Sequence, residues 1–367
     1  MSTISDEVRE QIELYMSVLI TGPLALLGIA ANLINFVTFL KQGVKDCVSV
    51  CLLALTISDF GSVLNGGSMQ IFNIIKHLDI DSIIDPFAFM FIMAYGCILC
   101  YDISQGIIAF VTLERCLCVA MPLKFKDLFT FRRSLFVVIF LYAFTIAAYV
   151  PHFVTSGLHW RHDPVTNSSR IFVWLSDNRF EIDHYLNTFI HVVMTASYQF
   201  VVLISTQVMV IGLKRSSKFR KRKETADKAT GNCNTAQVTY KRGDHSMKDH
   251  QANSQDIKQI EAHQMTDTQT KDSSLTLQNR RVIKTVSALA VIFLVCNAIR
   301  MVVIYTYMSN PELGFFKRYH NEVVVVNLFL FLSQAINSSA NTLVYYHFNP
   351  SFRNIFRSVF CKCGKNG

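Results

Sequence analysis

Seven runs of apolar residues, each long enough to cross a hydrocarbon layer, dominate this chain: 16–40, 47–75, 87–121, 134–153, 185–213, 282–308 and 322–347. A helix needs about 20 predominantly apolar residues to span the core of a bilayer. Lipid offers no partner for an unpaired backbone group, so a spanning segment must be a helix or part of a closed barrel. Runs this long exceed the ~10 residues of a barrel strand, and they predict an all-α membrane protein, a bundle of seven helices. Composition agrees. The 367 residues are 51% hydrophobic and only 17% charged, with mean hydropathy +0.31, whereas a soluble chain carries about a quarter charged residues. No internal repeat is visible. The start, MSTISDEVREQIE, lacks the basic opening and cleavage pattern of a signal peptide, so the first span is expected to remain in the mature protein.

Lysine and arginine in short loops set orientation, the cytoplasmic side holding the excess. Lys41 and Lys45 follow the first span, Lys124, Lys126, Arg132 and Arg133 the third, and the run KRSSKFRKRK begins after the fifth at Lys214. The opposite side holds an acidic N-terminus and mixed-charge loops. This predicts an extracellular N-terminus (1–15), a membrane domain (16–347) and a cytoplasmic tail (348–367). Residues 214–279 are polar and poor in aromatics, and they are read as a disordered cytoplasmic loop, with basic ends that prolong spans five and six. The net charge of +9 is accounted for by orientation and by contact with lipid or a cytoplasmic partner, not by nucleic acid. Asn167-Ser168-Ser169 is an N-glycosylation sequon on the predicted outer side. The tail segment PSFRNIFRSVF puts Phe352, Ile355, Phe356 and Phe360 on one helix face and Arg353 and Arg357 on another. That pattern suits a helix lying on a membrane surface, and Cys361 and Cys363 at its end are candidate palmitoylation sites.

Polar residues inside the spans are few. Asn32 and Asn35 stand in the first, and Asp59 stands in the second within LALTISDFGSVL. A carboxylate in hydrocarbon is costly and marks a functional site by default; the plainer reading makes Asp59 interhelical glue, bonded to Asn32. The third span carries Cys97, Tyr101, Asp102, Ser104 and Gln105, then Glu114–Arg115 at its end before Pro122. In the sixth, Arg300 follows Asn297 by three residues and so shares its face, about 12 Å below the outer end at ~1.5 Å per residue. Its partner is either Asp102 or an acidic or strongly accepting group on a ligand, which a guanidinium binds bidentately. Gln70, Cys97, Tyr101, Asn297, Phe331 and Gln334 are the expected surroundings. His159 and His162 in HWRH are read as solvated loop residues. The ten cysteines form neither a disulfide framework nor a metal pattern.

In order and position these features resemble a rhodopsin-like (class A) G-protein-coupled receptor. The likeness rests on Asn32, LALTISD ending at Asp59, LERCLCVAMPLKF, Phe293 and Cys296 in FLVCNAIR, and Asn341 to Tyr345 followed by FNPSFR. The ending INSSANTLVYYHFNPSFR is most similar to peptide and chemosensory receptors of invertebrates, molluscs among them. The resemblance implies a plasma-membrane receptor for an extracellular peptide or small molecule, coupled to a heterotrimeric G protein and met by arrestin and receptor kinases. It implies an allosteric sodium pocket at Asp59, Ser104, Asn337, Ser338 and Asn341, with no other cofactor. It also implies that Arg115, restrained by Glu114, swings toward the G protein and meets Tyr345.

The departures from the family pattern are specific. Met90 stands where span three normally carries a cysteine, and the second outer loop has none. Span five lacks proline, span six reads CNAI, and Thr342 replaces the proline of the seventh-span motif. Because kinks usually come from proline, a hinge would rest on Asn297 and Ser338/Ser339. Asn279 replaces an acid that pairs with Arg115 in some members. Cys97 and Ala335 replace the aspartate and lysine that hold amines and retinal. Two other readings stand beside the receptor: a seven-span ligand-gated channel, which needs the opposite orientation, and a transporter, which should show repeats and interrupted helices. No paired nucleophile and base suggest an enzyme.

Overall fold

The computed structural model describes residues 3–78, 80, 82–163, 168–238, 277–310, 312–314 and 317–360. Seven helices in it are long and apolar enough to cross a membrane: Asp6–Gln42, Cys47–His77, Pro86–Ala120, Phe131–Val154, Glu181–Arg215, Asn279–Ser309 and His320–Phe348. The protein is a multi-pass membrane protein with these as its spans one to seven. Span seven packs against both one and six, which closes the ring, while span three touches two, four, five and six and forms its axis. Burial follows that geometry. The apolar window of span two is 67% buried and that of span four only 22%, so span two is an interior element and span four shows most of its surface to lipid. The shared core includes Leu55, Ile107, Ile108, Met209, Ala290 and Phe293.

Several boundaries differ from the sequence reading. Span one begins at Asp6 rather than near residue 16, because Ser5 caps the helix by accepting from the Val8 amide at 3.3 Å. The N-terminal residues are held against span seven: the amides of Thr3 and Ile4 donate to Glu322 Oε1, and Asn321 Nδ2 donates to the Ile4 carbonyl at 2.9 Å. Residues 214–238, expected in a disordered loop, continue the helix of span five. Alanine and the straight chains of lysine, arginine and glutamate favour helix even where nothing apolar is buried. The remainder of that loop lies outside the described residues. Pro122 starts a short helix, Pro122–Leu128, at a position where its missing amide costs nothing. The tail helix Pro350–Phe360 forms as the sequence pattern predicts, with Phe352 buried against Phe39 and Tyr345.

The loop between spans four and five is a hairpin. Strand β1 (Ser156–Asp163) pairs antiparallel with β2 (Ser168–Leu175), Trp160 opposite Ile171. The Asp85 amide donates to the Ile171 carbonyl and the Ile171 amide to the Ile83 carbonyl, both at 2.9 Å, so β2 is anchored to the start of span three. Beyond the hairpin, Arg179 is 1% exposed. It donates to the His152 carbonyl, to Thr155 Oγ1 at 2.9 Å, to the Tyr95 hydroxyl at 2.7 Å and to Asp183 Oδ2 at 2.6 Å. Its guanidinium also faces the rings of Phe91 and Tyr95. One side chain thus joins spans three and four to the entry of span five. The cysteines among the described residues are free thiols, and none lies in the hairpin.

Replacing Arg179 leaves Asp183 with His152 Nδ1 alone, at 2.8 Å, and takes a donor from the His152 carbonyl. Breaking such a partly buried set costs on the order of 3 kcal/mol. Arg179→Ala should lower the melting temperature of the purified chain by several degrees, while mild reductant leaves the wild-type transition unchanged. A reductant-sensitive transition would refute non-covalent anchoring of this loop.

Candidate functional site

Three groups of buried polar residues lie along span three. The middle group surrounds Asp59, which is fully buried. Ser104 donates to Asp59 Oδ1 at 2.6 Å and Asn341 Nδ2 to Oδ2 at 2.6 Å, while Ser58 lies 2.9 Å from Ser104. The Ser338 hydroxyl faces the same carboxylate outside hydrogen-bond geometry, and Asn337 Nδ2 is buried without a partner. The structure therefore brings Asp59, Ser104, Ser338 and Asn341 together, with Asn337 in the adjoining turn. The expected bond from Asn32 to Asp59 is absent. Asn32 instead donates to the backbone carbonyls of Gly28 at 3.0 Å and Ser338 at 2.9 Å, which ties span one to span seven. No arginine or lysine among the described residues pairs with Asp59. Its carboxylate, the serine hydroxyls and the amides are hard oxygen donors, the type that suits a small hard cation. No three His, Cys, Asp or Glu converge among the described residues.

At the inner end of span three, Arg115 Nη2 donates to Glu114 Oε1 at 2.6 Å, with Glu114 fully buried and Arg115 nearly so. The guanidinium lies over the Phe125 ring, 5.2 Å from its centroid. Tyr345 is not its neighbour here. That ring packs edge-on against Phe39 at 5.1 Å, and its hydroxyl is buried near Thr56 without a hydrogen bond.

The outer residues separate into two sets. Gln70, Cys97, Phe331 and Gln334 line one cavity between spans one, two, three and seven, with Thr21 and Ala335. Tyr101, Asp102 and Arg300 belong to a charged cluster beside it. Arg300 Nη1 donates to Asp102 Oδ1 at 2.8 Å, and Nη2 lies 2.8 Å from His191 Nδ1. Arginine only donates, so His191 accepts there. Asp102 also receives the Tyr149 hydroxyl at 2.5 Å and Gln105 Nε2 at 2.9 Å, and the Tyr101 ring lies 5.3 Å from the Arg300 guanidinium. Asn297 is buried with neither amide atom bonded. Of the two partners considered for Arg300, the structure supplies Asp102. Asn167, Cys361 and Cys363 lie outside the described residues.

Sequence reasoning missed Tyr149, His191 and the Arg179 group. The i,i+4 spacing of Arg179 and Asp183 was a usable signal. His191 was not detectable, because it is aimed by a π-helical stretch, Thr188–Met194, that has no sequence signature.

A family model described as 7 transmembrane receptor (rhodopsin family) matches residues 31–345. A search of curated proteins finds no match.

The Asp102–Arg300 pair is buried on both sides, so removing one partner should cost about 3–5 kcal/mol and removing both much less. Asp102→Ala and Arg300→Ala should each reduce melting temperature and surface expression, and the double variant should recover part of both. Strictly additive losses would show that the two charges do not stabilise each other.

Proposed function

Since the chain belongs to the rhodopsin family of seven-transmembrane receptors, we propose that it is a plasma-membrane receptor with its N-terminus outside and its tail in the cytoplasm. In this reading it binds an extracellular peptide or small chemosensory molecule and activates a heterotrimeric G protein. The observation that carries it is the buried Glu114–Arg115 pair at 2.6 Å. A cation stored at the basic end of the axial helix, held by one adjacent carboxylate, is a switchable element. Freed from Glu114, Arg115 would reach outward to a G protein and Tyr345 would leave its pocket to meet it. Arrestin, receptor kinases and lipid would share the same basic face.

Ligand would enter from the outer end, against Gln70, Cys97, Phe331 and Gln334 and toward Tyr101, Asp102, Asn297 and Arg300. An acidic group suits this site. Charge-assisted hydrogen bonds are roughly twice as strong as neutral ones, so a ligand carboxylate would replace the neutral His191 at Arg300 Nη2 while Asp102 keeps Nη1. His191 sits in the π-helical part of span five, and its release would pass ligand binding to that helix.

The test is a ligand screen read by second messenger in cells carrying an N-terminal tag. The tag should be reached by antibody without permeabilisation. Arg115→Ala should abolish signalling with ligand binding retained, and Glu114→Gln should raise basal activity. For an acidic ligand, Arg300→Lys should weaken potency about tenfold or more through loss of the fork geometry. A tag accessible only after permeabilisation, or a well-expressed and silent Glu114→Gln, would overturn the reading.

Sodium is proposed as the ion of the middle group, held by Asp59, Ser104, Asn337, Ser338 and Asn341. If it binds the resting conformation better, it can shift the equilibrium only by that difference in affinity. Asp59→Asn should keep the melting temperature within a few degrees and remove the dependence of agonist potency on sodium. An unchanged sodium response would return Asp59 to a purely structural role.

A further inference from the structure

A cleft of about 410 Å³ opens between span three, the end of the Pro122–Leu128 helix and the start of span four. Phe110, Leu128, Phe129 and Phe136 form its walls, and Arg132 and Arg133 stand at its rim. The apolar walls are open: Phe136 is 70% exposed and Leu128 47%. In a membrane-spanning chain, surface of this kind meets acyl chains rather than water.

The two arginines differ in what they do. Arg133 Nη1 donates to the carbonyls of Asp127 and Leu128, which end the short helix and lack partners within it. Its charge is used to fasten that helix to span four. Arg132 is exposed and makes no hydrogen bond or ion pair with any described residue. Lys124 and Asp127 on the short helix are exposed, as are Lys45 and Asp46 beside Cys47, which donates to the Phe129 carbonyl; these two cations and two anions offset each other, and the two arginines leave the rim positive. A free cation above an aromatic-walled apolar cleft matches a molecule that is anionic at one end and hydrocarbon below. A soluble anion would use only the rim and leave the cleft unfilled.

We propose that this cleft binds one anionic phospholipid, with Arg132 on the phosphate and an acyl chain between Phe110 and Phe136. The site is built at one membrane surface and does not depend on which leaflet that surface faces. Its occupancy reaches the charge pair of span three by ring contacts. Phe129 on the cleft wall stacks on Phe125 at 5.2 Å, and Arg115 lies over the Phe125 ring at 5.2 Å. A lipid that braces Phe129 would therefore hold Phe125 beneath Arg115 and favour the Glu114-paired state.

The test is native mass spectrometry of the purified, delipidated full chain titrated with phosphatidylglycerol or phosphatidylcholine. Wild type should retain one phosphatidylglycerol severalfold better than phosphatidylcholine. Each basic residue at a membrane surface contributes about 1 kcal/mol of attraction, so Arg132→Gln should weaken retention about fivefold. Arg132→Lys should keep most of it. Val137→Trp, which fills the cleft, should lower retention of both lipids, and Lys41→Gln, an exposed cation at the end of span one, should change nothing. Equal retention of the two lipids by wild type, or an equal loss in Lys41→Gln, would overturn the proposal in favour of diffuse surface charge. Displacement of the lipid by millimolar inorganic phosphate would overturn it in favour of a simple anion site. None of these readouts needs ligand or G protein, so failure here leaves the receptor reading untouched.

Discussion

Hydrocarbon cannot hydrogen-bond, and this bundle is arranged around that constraint. Charged and polar groups inside it pair largely with one another across helices, and span three supplies the common partner. Asp102, Ser104 and Glu114 all project from it into the interior. Arg300 of span six, Tyr149 of span four and His191 of span five meet at Asp102 or at its arginine. Asp59 of span two and Asn341 of span seven meet beside Ser104. Removing the axial residues would leave Arg300 without its countercharge and unpair polar groups on spans two, four, five and seven, which is why the ring closes around this helix.

The three carboxylates buried on or beside span three, Asp59, Asp102 and Glu114, are not equivalent. Asp102 and Glu114 each face a guanidinium, at 2.8 Å and 2.6 Å. Asp59 faces only hydroxyls and an amide. Dipoles stabilise a buried charge less than an opposite charge does, so Asp59 is where a mobile cation gains most by entering. At Asp102 the charge is already balanced internally, and a ligand there competes with His191 rather than filling an empty place. The same residue type at two levels of one bundle therefore suits two different partners.

The spans, their order and the tail helix were legible because each depends on a local pattern: length of apolar run, or a period near 3.6 with cations on one face. The middle cluster was legible as well, since polar residues are rare enough in hydrocarbon that Asp59, Ser104 and Asn341 stand out. The hairpin 156–175 was not. Its strands bury little, and its register rests on backbone bonds to Ile83 and Asp85 that no composition reports. Arg179 was missed for a related reason. In a loop of mixed charge an Arg–Asp pair looks solvated, and only the fold places Tyr95, Phe91 and His152 around it. The prolongation of span five over its basic end was expected, but the helix beyond residue 223 was read as disorder because burial was the criterion, whereas helix propensity needs none.

The missing prolines raise the question of what relieves helix regularity, and the sequence pointed to Asn297, Ser338 and Ser339. Asn297 and Ser338 are buried and Ser339 half-buried, all with unbonded polar atoms, yet their helices run unbroken from Leu277 to Ser309 and from His320 to Phe348. The irregularity lies instead in two π-helical stretches, Met16–Thr21 in span one and Thr188–Met194 in span five. The first ends at a threonine and the second is followed by one, and each repairs the local ladder: Thr21 Oγ1 donates to the Met16 carbonyl at 2.9 Å and Thr195 Oγ1 to the Ile190 carbonyl at 3.3 Å, five residues back in each case. At the first, Gly22 follows directly, where a Cβ would strike the Ser17 carbonyl. Wide turns of this kind concentrate at functional positions, and both abut the outer polar sites. Thr21 lines the cavity of Gln70 and Gln334, and His191 accepts from Arg300. A helix loosened at the point where it touches a buried polar cluster can change register there without breaking below, which is the service a proline kink would otherwise provide.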